Sequence, residues 1–233
     1  MHPIIQKTRE DYNLIAPFFS DTRRHLWREL DQCKQYVKNG QRVLDWGCGN
    51  GRLVGLFADY SGIEYYGVDQ SIELVKIARR AHSALVQQRK AHFYCTAKRQ
   101  KKFSADFFDL EFLIASLHHL PDERTRLLLL QKMHHELKPG GRIIITVWNL
   151  SSEWANIKKH NGWTVLGTQD FLIPWKDPTG KILCDRYYHG FVQEELRALL
   201  AQAGFQVKHL SYSEGRWTDD KGGRNLLAIA KKI

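Results

Sequence analysis

Three closely spaced glycines stand where the first predicted strand ends and a helix is expected to begin. The stretch from Val43 to Leu53 reads Val-Leu-Asp-Trp-Gly-Cys-Gly-Asn-Gly-Arg-Leu, with Gly47, Gly49 and Gly51 at alternate positions. Because glycine has no Cβ, the backbone can turn tightly here and approach a ligand closely. The N–H groups at the start of the following helix would then face that ligand. The pattern therefore predicts a ligand-binding turn.

Two acidic residues suggest which ligand this turn binds. Asp45 precedes the turn and suits a ligand that carries a positive amino group near a sulfonium. Asp69 ends the second predicted strand, 18 residues after Gly51, where a carboxylate can accept both hydroxyls of a ribose. The G-x-G-x-G spacing differs from the dinucleotide fingerprint, and no Lys-Ser/Thr pair follows it as in a phosphate loop. A nucleoside site is the interpretation that these residues favour.

A pair of histidines follows the fourth predicted strand, residues 107–115. The sequence there continues with Ser116, Leu117, His118 and His119. Ligands of open α/β sheets bind beyond the carboxyl ends of the strands, so we expect this segment to border the same pocket. One histidine could orient an acceptor or, for a phenol or amine, act as a base. A packing or cofactor-orienting role stays open for both.

The elements that must position these residues alternate between short β-rich runs and longer helical patterns. Such alternation predicts βαβ units and a parallel sheet. The predicted strands span 41–46, 64–68, 92–95, 107–115, 142–148, 205–212 and 225–230. The predicted helices span 21–38, 51–60, 71–87, 122–137 and 192–203.

Two segments depart from the alternation. Residues 1–40 are mostly helical in pattern and precede the first strand, whereas 149–190 form a long connection rich in tryptophan and tyrosine. A connection of that length in a compact domain is usually functional. We therefore predict a single domain over 1–233, with an N-terminal helical segment and a cap or substrate arm at about 149–190.

Composition excludes several classes of protein. The 233 residues are 43% hydrophobic and 12% aromatic, enough to fill a core and to exclude general disorder. No apolar stretch approaches the roughly 20 residues of a membrane helix, and the N-terminus lacks a signal-peptide core. We therefore expect no membrane association. Four cysteines occur without a C-x-x-C pair, so we expect no metal site and a reducing, cytoplasmic location.

The charge is strongly positive and unevenly distributed. Thirty-five Lys and Arg against 25 Asp and Glu give a net charge of +10. The stretch from Lys76 to Lys102 carries nine basic residues and no acidic one. It can be a solvated helix face followed by a solvated loop, or it can be a docking surface for the phosphates of a polyanion.

Taken together, the strand, the D-x-G-x-G-x-G turn and the acidic second strand resemble the S-adenosylmethionine site of class I methyltransferases. The resemblance implies a Rossmann-like α/β fold with a seven-stranded, mostly parallel sheet flanked by helices, and S-adenosylhomocysteine as product. Many relatives have an acidic residue after the third strand, where this chain has Thr96. The cofactor-binding residues that the resemblance implies are Asp45, Gly47, Cys48, Gly49, Gly51, Asp69, Gln70, Thr96, Ala97 and Ser116.

Further stretches resemble one branch of that superfamily, the tRNA wobble-uridine carboxymethyl-ester methyltransferases. They lie at 15–23, which Trp27 follows, and at 147–149, 170–175, 185–189 and 194–196, in the order in which that family has them. The resemblance implies methyl transfer to the carboxylate of 5-carboxymethyluridine, with tRNA as a partner. Eukaryotic members rely on a small zinc-binding activator protein, so an activator is a second expected partner.

For that reaction, two arginines and two histidines are the candidate catalytic residues. Arg23 or Arg186 would hold a substrate carboxylate or phosphate through bidentate contacts, and His118 or His119 would orient it. Arg23 can instead pair with a neighbouring aspartate on its helix.

Two other functions remain open. One is a small-molecule O- or C-methyltransferase acting on a quinone precursor, natural product or organic acid, with the aromatic cap closing over an apolar acceptor. The other is a non-catalytic RNA-binding module that retains a nucleoside pocket.

Overall fold

The computed structural model describes residues 2–97, 102–160, 162–213, 217–218 and 222–233. The α-helices described are α1 (Pro3–Thr22), α2 (Ile72–Ala81), α3 (Ser83–Gln87), α4 (Glu123–Glu136), α5 (Glu153–His160) and α6 (Gln193–Gln202). Short 3₁₀ segments occur at Arg28–Tyr36, Arg52–Phe57 and Leu117–His119. The strands described are β1 (Arg42–Trp46), β2 (Glu64–Asp69), β3 (Ala91–Cys95), β4 (Phe108–Ile114), β5 (Leu137–Trp148), β6 (Thr164–Val165), β7 (Asp170–Lys176), β8 (Ile182–His189), β9 (Phe205–Ser213), β10 (Trp217–Thr218) and β11 (Asn225–Lys232).

The central sheet has the strand order β10-β9-β11-β5-β4-β1-β2-β3. The five strands from β5 to β3 run parallel to their neighbours. Strand β11 is antiparallel to both β5 and β9, and the two-residue β10 extends the edge beside β9. The predicted Rossmann-like architecture with a mostly parallel sheet of seven main strands is confirmed.

Each face of this sheet is covered by its own hydrophobic core. Side chains of successive strand residues point to opposite faces, so Val43 of β1 joins one core and Leu44 joins the other. The first core is completed by residues of α2 such as Val75, and the second by α4 and α6 residues such as Leu130 and Leu200. Burial on both faces explains why these strands read as continuous apolar runs.

Several predicted helix bounds are wrong. The predicted helix 21–38 is replaced by α1, which ends at Thr22, and by the 3₁₀ segment Arg28–Tyr36. Helix α1 begins at Pro3, whose fixed φ suits a first helical position. The predicted helix 51–60 is a 3₁₀ segment containing Gly55, a weak helix former. The predicted helix 71–87 divides at His82, where φ −114° and ψ 30° leave the helical region.

The long connection 149–190 contains helix α5 and a separate three-stranded antiparallel sheet of order β6-β7-β8. Strand β8 packs against α1 and against the 3₁₀ segment Leu117–His119. This cap sheet therefore brings its side chains to the carboxyl-end side of the central sheet, beside the predicted pocket.

Candidate cofactor and substrate site

A cavity of about 810 Å³ opens beside the glycine turn. It is lined by the ends of β1, β2 and β4, by α1, and by residues of the cap strand β8. Position at strand carboxyl ends is the usual place for ligands in open α/β sheets. Its size suits a nucleoside-sized ligand with a second molecule beside it.

The glycine turn has the tight geometry that the sequence predicts. Gly47, Gly49 and Gly51 have φ values of +81°, +55° and +79°, in the region that favours glycine. A Cβ on Gly47 would lie 2.0 Å from the Oγ of Ser116. The first glycine therefore lets the ends of β1 and β4 approach each other at the cavity wall.

Asp69 ties the turn to the second strand. Its Oδ2 accepts a hydrogen bond from the Gly49 N–H at 2.9 Å, and its Oδ1 accepts one from the Ser71 N–H at 2.7 Å. Each carboxylate oxygen can accept a second bond, so the side chain retains capacity for two ribose hydroxyls. Burial raises the pKa of Asp69, and the backbone hydrogen bonds act in the opposite direction.

Asp45 offers an unpaired acceptor at the cavity. It is buried, its Oδ2 accepts a 2.5 Å hydrogen bond from the Tyr65 hydroxyl, and its Oδ1 has no partner among the described residues. Burial raises the pKa of Asp45 to about 7 despite that hydrogen bond. A positive amino group would satisfy the free oxygen and favour the ionised form.

Most other predicted cofactor residues also line this cavity. Cys48, Gln70 and Thr96 lie on its wall, whereas Ala97 and Gly51 do not. The Thr96 N–H donates to the Asp69 carbonyl at 2.9 Å. The Thr96 hydroxyl donates to the same carbonyl at 3.4 Å, so its oxygen remains able to accept a bond from a ligand amino group. The role of these residues toward a cofactor remains a prediction.

The cavity walls therefore fit S-adenosylmethionine. The turn leaves room for close backbone approach, the unpaired Asp45 oxygen suits an ammonium group, and Asp69 is placed for a ribose. Among the residues that the structure describes, no group of three His, Cys, Asp or Glu side chains is arranged to bind a metal ion.

His118 lies at the cavity with one nitrogen already used. Its ring is buried, and its Nδ1 accepts a hydrogen bond from the Trp148 N–H at 3.2 Å. The proton of the neutral ring is therefore on Nε2, which is a donor. Burial, followed by the neighbouring His119, holds the pKa of His118 well below its usual range. The residue can donate a hydrogen bond from Nε2.

His119 is occupied at both nitrogens. Its Nδ1 lies 2.8 Å from the Tyr187 carbonyl, which can only accept, so Nδ1 carries the proton. Its Nε2 then accepts from the Tyr12 hydroxyl at 2.8 Å. Burial lowers the pKa of His119 to about 3. In this arrangement the ring orients Tyr12 and has no free nitrogen for proton transfer.

Arg186 continues this chain as a buried cation. The residue is 4% exposed and donates from Nη1 to the Tyr12 hydroxyl at 3.2 Å. Its guanidinium lies 4.8 Å from the ring centroid of Trp175 and 5.1 Å from that of Tyr188. It forms no ion pair with a carboxylate of the described chain, and its Nε is buried without a partner. A buried, unpaired guanidinium is a ready site for an anionic group.

Arg23 also borders the cavity, at the end of α1. The alternative pairing with a nearby aspartate does not form, because Asp21 pairs with Arg24 and Asp31 pairs with Lys34. The guanidinium of Arg23 instead lies over the rings of Phe19 and Trp175, at 5.7 and 5.9 Å. The structure thus brings both predicted arginines to the same aromatic group.

A partly buried polar cluster connects the cap sheet to the central domain. His189 lies between two carboxylates, with Nδ1 2.8 Å from Asp170 Oδ1 and Nε2 2.9 Å from Glu195 Oε1. Arg126 of α4 donates to the same Glu195 oxygen at 3.0 Å. Because a carboxylate only accepts, this geometry suits an imidazolium that donates from both nitrogens. The cluster joins β7 and β8 to α4 and α6, and so positions Arg186.

Tyr12 is the main site residue that the sequence analysis missed. It contacts Phe19 edge-to-face, with ring centroids 5.4 Å apart, and also bonds His119 and Arg186. A signal was present, because residues seven apart share one helix face and Tyr12 and Phe19 are separated by seven. Two positions are too few to define a helix face, and the sequence predicts the helix over 21–38, so this face is not recognised from the sequence.

Known proteins similar to this chain include methyltransferases. Residues 18–210 match the family model described as a methyltransferase domain. The chain is 28% identical over 224 residues to a tRNA (carboxymethyluridine(34)-5-O)-methyltransferase of Schizosaccharomyces pombe, covering 88% of this chain and 91% of the relative. It is 28% identical over 256 residues to the tRNA (carboxymethyluridine(34)-5-O)-methyltransferase alkbh8 of Xenopus tropicalis, covering 88% of this chain but only 39% of that relative.

Solved structures show the same fold. The methyltransferase in a complex with the Trm112 methyltransferase activator of Haloferax volcanii is 18% identical, with a TM-score of 0.68 over 96% of both chains. The 1,6-didemethyltoxoflavin-N1-methyltransferase of Burkholderia thailandensis, solved with S-adenosylhomocysteine, is 19% identical, with a TM-score of 0.67 over 98% of this chain and 88% of that one.

The family match covers most of the chain and includes the whole glycine turn, Asp69 and the cap strand β8. The cavity beside that turn is lined by residues that fit S-adenosylmethionine. The chain therefore belongs to the methyltransferase-domain family, and it is an S-adenosylmethionine-dependent methyltransferase with the class I fold.

Proposed function

We propose that this methyltransferase acts on tRNA and methylates the carboxylate of a carboxymethyl-modified wobble uridine. The names of the S. pombe and X. tropicalis relatives support this substrate. Since the chain spans about two fifths of the frog relative, the activity of that longer protein is carried over only as part of the proposal.

The observation that carries the proposal is the state of Arg186. A buried guanidinium without a carboxylate partner is costly, so its presence at a cavity wall indicates that a ligand supplies the negative charge. A substrate carboxylate can do so, and Arg186 together with the Tyr12 hydroxyl offers it donors from one side.

The two histidines favour an acceptor that needs no base. His119 has both nitrogens occupied, and the free nitrogen of His118 carries a proton. Neither ring in this arrangement can remove a proton from a phenol or an amine. An ionised carboxylate needs no such step, because it is already nucleophilic.

The protein's contribution is then alignment and charge screening. When bound, S-adenosylmethionine supplies an electrophilic methyl group, which the carboxylate oxygen accepts without loss of a proton. Arg186 would hold the carboxylate, and His118 would donate a hydrogen bond from Nε2 to orient it. Asp45 and Asp69, which line the same cavity, would hold the cofactor. Holding the two reactants in line is a large source of rate enhancement.

The test is a methyl-transfer assay with labelled cofactor and total tRNA, followed by mass analysis of the released nucleosides. We expect the label in a methyl ester of a 5-substituted uridine, and mild alkaline hydrolysis should remove it. Label found in small molecules and not in tRNA would contradict the substrate assignment and favour the small-molecule alternative. Binding of RNA with no methyl transfer under any condition would favour a non-catalytic module.

The proposal includes an activator protein as a partner and a cytoplasmic location. A small zinc-binding activator protein is supported by the Trm112 complex of the H. volcanii neighbour, and we expect co-purification with such a partner to raise activity on tRNA.

Among the described residues, none of the helices has the length and apolar character that crossing a membrane requires. A cytoplasmic location stays a prediction that fractionation would test.

A further inference from the structure

A second cavity of about 410 Å³ lies beside the end of the glycine turn and the segment that follows it. It is bordered by the end of α1, by the segment after the turn, by Ile77 and Ala81 of α2, and by His82, which follows that helix. Arg23 and Arg52 line both this cavity and the main one. These two arginines therefore stand at the junction between the methyl-transfer site and a second surface.

Asn50 holds the two arginines in place. Its Nδ2 donates to the Arg23 carbonyl at 3.1 Å, and its Oδ1 accepts from the Arg52 N–H at 3.4 Å. The Arg52 guanidinium lies 4.9 Å from the centroid of the Trp27 ring. Neither guanidinium forms an ion pair with a carboxylate of the described residues. The fold thus keeps two like charges together, an arrangement that a bound anion would stabilise.

Burial supports the same conclusion. It lowers the pKa of Arg52 to about 10, and the positive charge of Arg23 acts in the same direction, whereas the charges of Asp45 and Glu29 act in the opposite direction. At neutral pH the side chain is still protonated, so the junction carries two positive charges.

The positive surface continues past the junction. Arg24 and Asp21 both line the second cavity and pair with each other, so the positive charge beyond the junction comes from Arg80, which is exposed on α2 three residues after Ile77. The predicted basic run contributes less than its sequence suggests, because Lys76 pairs with Glu73 and Arg79 donates to the Phe93 carbonyl. Three other members of that run, Lys98, Arg99 and Lys101, lie outside the described residues.

We infer that Arg23 and Arg52 bind a backbone phosphate of the RNA substrate, next to the nucleotide that enters the main cavity. This inference rests on the proposed function and names the path by which the RNA reaches the site. The second cavity is the entry side, and α2 continues the path. An extended polyanion can contact positive charge on both sides of the junction. The single carboxylate of the cofactor's methionyl group can contact it on one side only.

The test measures RNA affinity and cofactor affinity separately in the full chain. The probe is a synthetic tRNA anticodon stem–loop that carries 5-carboxymethyluridine, titrated at several salt concentrations. The double variant Arg23→Gln/Arg52→Gln should bind this RNA about 10-fold to 100-fold more weakly. Its plot of log affinity against log salt should be shallower by about 0.7 to 0.9 for each phosphate that the variant no longer binds. S-adenosylhomocysteine affinity by calorimetry should stay within about 2-fold of wild type, which also reports a folded protein.

The matched control removes the same charge elsewhere. Arg197 on α6 and Lys208 on β9 are exposed at the opposite edge of the sheet, so Arg197→Gln/Lys208→Gln should keep nearly the full salt slope. Arg52→Lys, which retains the charge, should recover most of the RNA affinity. Equal reductions of affinity in the two double variants would overturn the inference, because they would indicate only a general effect of net charge.

The same measurements distinguish an RNA phosphate from the methionyl carboxylate of the cofactor as the anion that the arginines bind, and they also test the proposed function. A large reduction of S-adenosylhomocysteine affinity with unchanged RNA affinity would assign the arginines to the methionyl carboxylate and overturn the phosphate site. A wild-type protein that forms the methyl ester but shows no dependence on Arg23 and Arg52 would sink the inference alone. A wild-type protein with no measurable RNA affinity would contradict the proposed function itself, and the phosphate site with it.

Discussion

Arg186 is the residue on which the proposed substrate recognition depends most. Its guanidinium is surrounded by the rings of Tyr12, Trp175 and Tyr188, and its one described hydrogen bond goes to the Tyr12 hydroxyl. Aromatic faces stabilise a cation without neutralising it. The side chain is therefore held in position while its charge remains available to an anionic substrate.

Replacing this arginine should damage catalysis more than cofactor binding. A hydrogen bond to a charged group contributes about 1.5–3 kcal/mol, so Arg186→Gln should lower kcat/KM on the RNA substrate about 10-fold to 150-fold. Affinity for S-adenosylhomocysteine, measured by calorimetry, should change little. Lys181→Gln, at the exposed turn between β7 and β8, serves as the control with the same charge change. Unaltered kcat/KM in Arg186→Gln would show that the substrate anion is held elsewhere.

The protonation state of Asp45 should make cofactor affinity depend on pH. Burial raises its pKa to about 7, so the carboxyl is largely neutral at pH 6 and largely ionised at pH 8. The ionised form attracts the positive groups of S-adenosylmethionine, and cofactor affinity should therefore increase as pH rises through about 7.

The measurement is calorimetry with S-adenosylmethionine between about pH 6 and pH 8. Asp45→Asn cannot ionise, so it should bind more weakly at pH 8 and lose most of the pH dependence. An identical pH profile in wild type and variant would show that another group controls binding.

At the scale of elements, a polar cluster connects the cap sheet to the central domain. His189 ends β8 and contacts Asp170 at the start of β7 and Glu195 in α6. The Tyr187 hydroxyl donates to the same Asp170 oxygen at 2.6 Å. His189 itself is buried, whereas the two carboxylates are partly exposed, so removing the ring deprives both carboxylates of their shared donor and leaves a small cavity.

His189→Ala should therefore destabilise the cap and lower the free energy of unfolding by about 2 to 4 kcal/mol. Hydrogen exchange should increase across β7 and β8, whereas exchange in β1 and β4 should stay slow. The exposed His25 is a suitable control, and His25→Ala should leave both measurements nearly unchanged. Uniform acceleration across the central sheet would contradict a role confined to the cap.

At the scale of the whole molecule, one buried carboxyl opposes stability. Glu111 lies in the middle of β4, between Leu44 and Ile143 in register, and it is fully buried. Neither of its oxygens has a hydrogen-bond partner among the described residues. Burial, followed by the charge of Glu136, holds the pKa of Glu111 well above its usual range.

This raised pKa gives stability a definite pH dependence. The folded chain binds the proton more tightly than the unfolded chain, so the contribution of Glu111 is greatest below the unfolded pKa, about 4.3, and falls as pH rises. Glu111→Gln should thus be more stable than wild type at pH 8, by on the order of 1 kcal/mol. The difference should shrink toward pH 5, as followed by urea unfolding. Exposed Glu153→Gln is the control; a wild type more stable than Glu111→Gln at pH 8 would contradict the interpretation.

The sequence by itself determined the sheet class and the cofactor turn. Strand β1, the glycines that follow it and Asp69 at the end of β2 lie close together in the chain, and their conformations follow from local rules. Glycine adopts the positive φ of each turn position at the lowest steric cost, and parallel strands bring their carboxyl ends to one edge. The class I fold and its nucleoside site could therefore be predicted without coordinates.

Only the tertiary structure decided which groups surround the substrate side. Tyr12 and Arg186 are 174 positions apart, yet the packing of β8 on α1 places them in hydrogen-bond contact. The pairing of His119 with Tyr12, which removes it as a base, likewise depends on that packing. Contacts between distant segments follow from how buried surfaces fit together, and no local pattern in the chain encodes that fit.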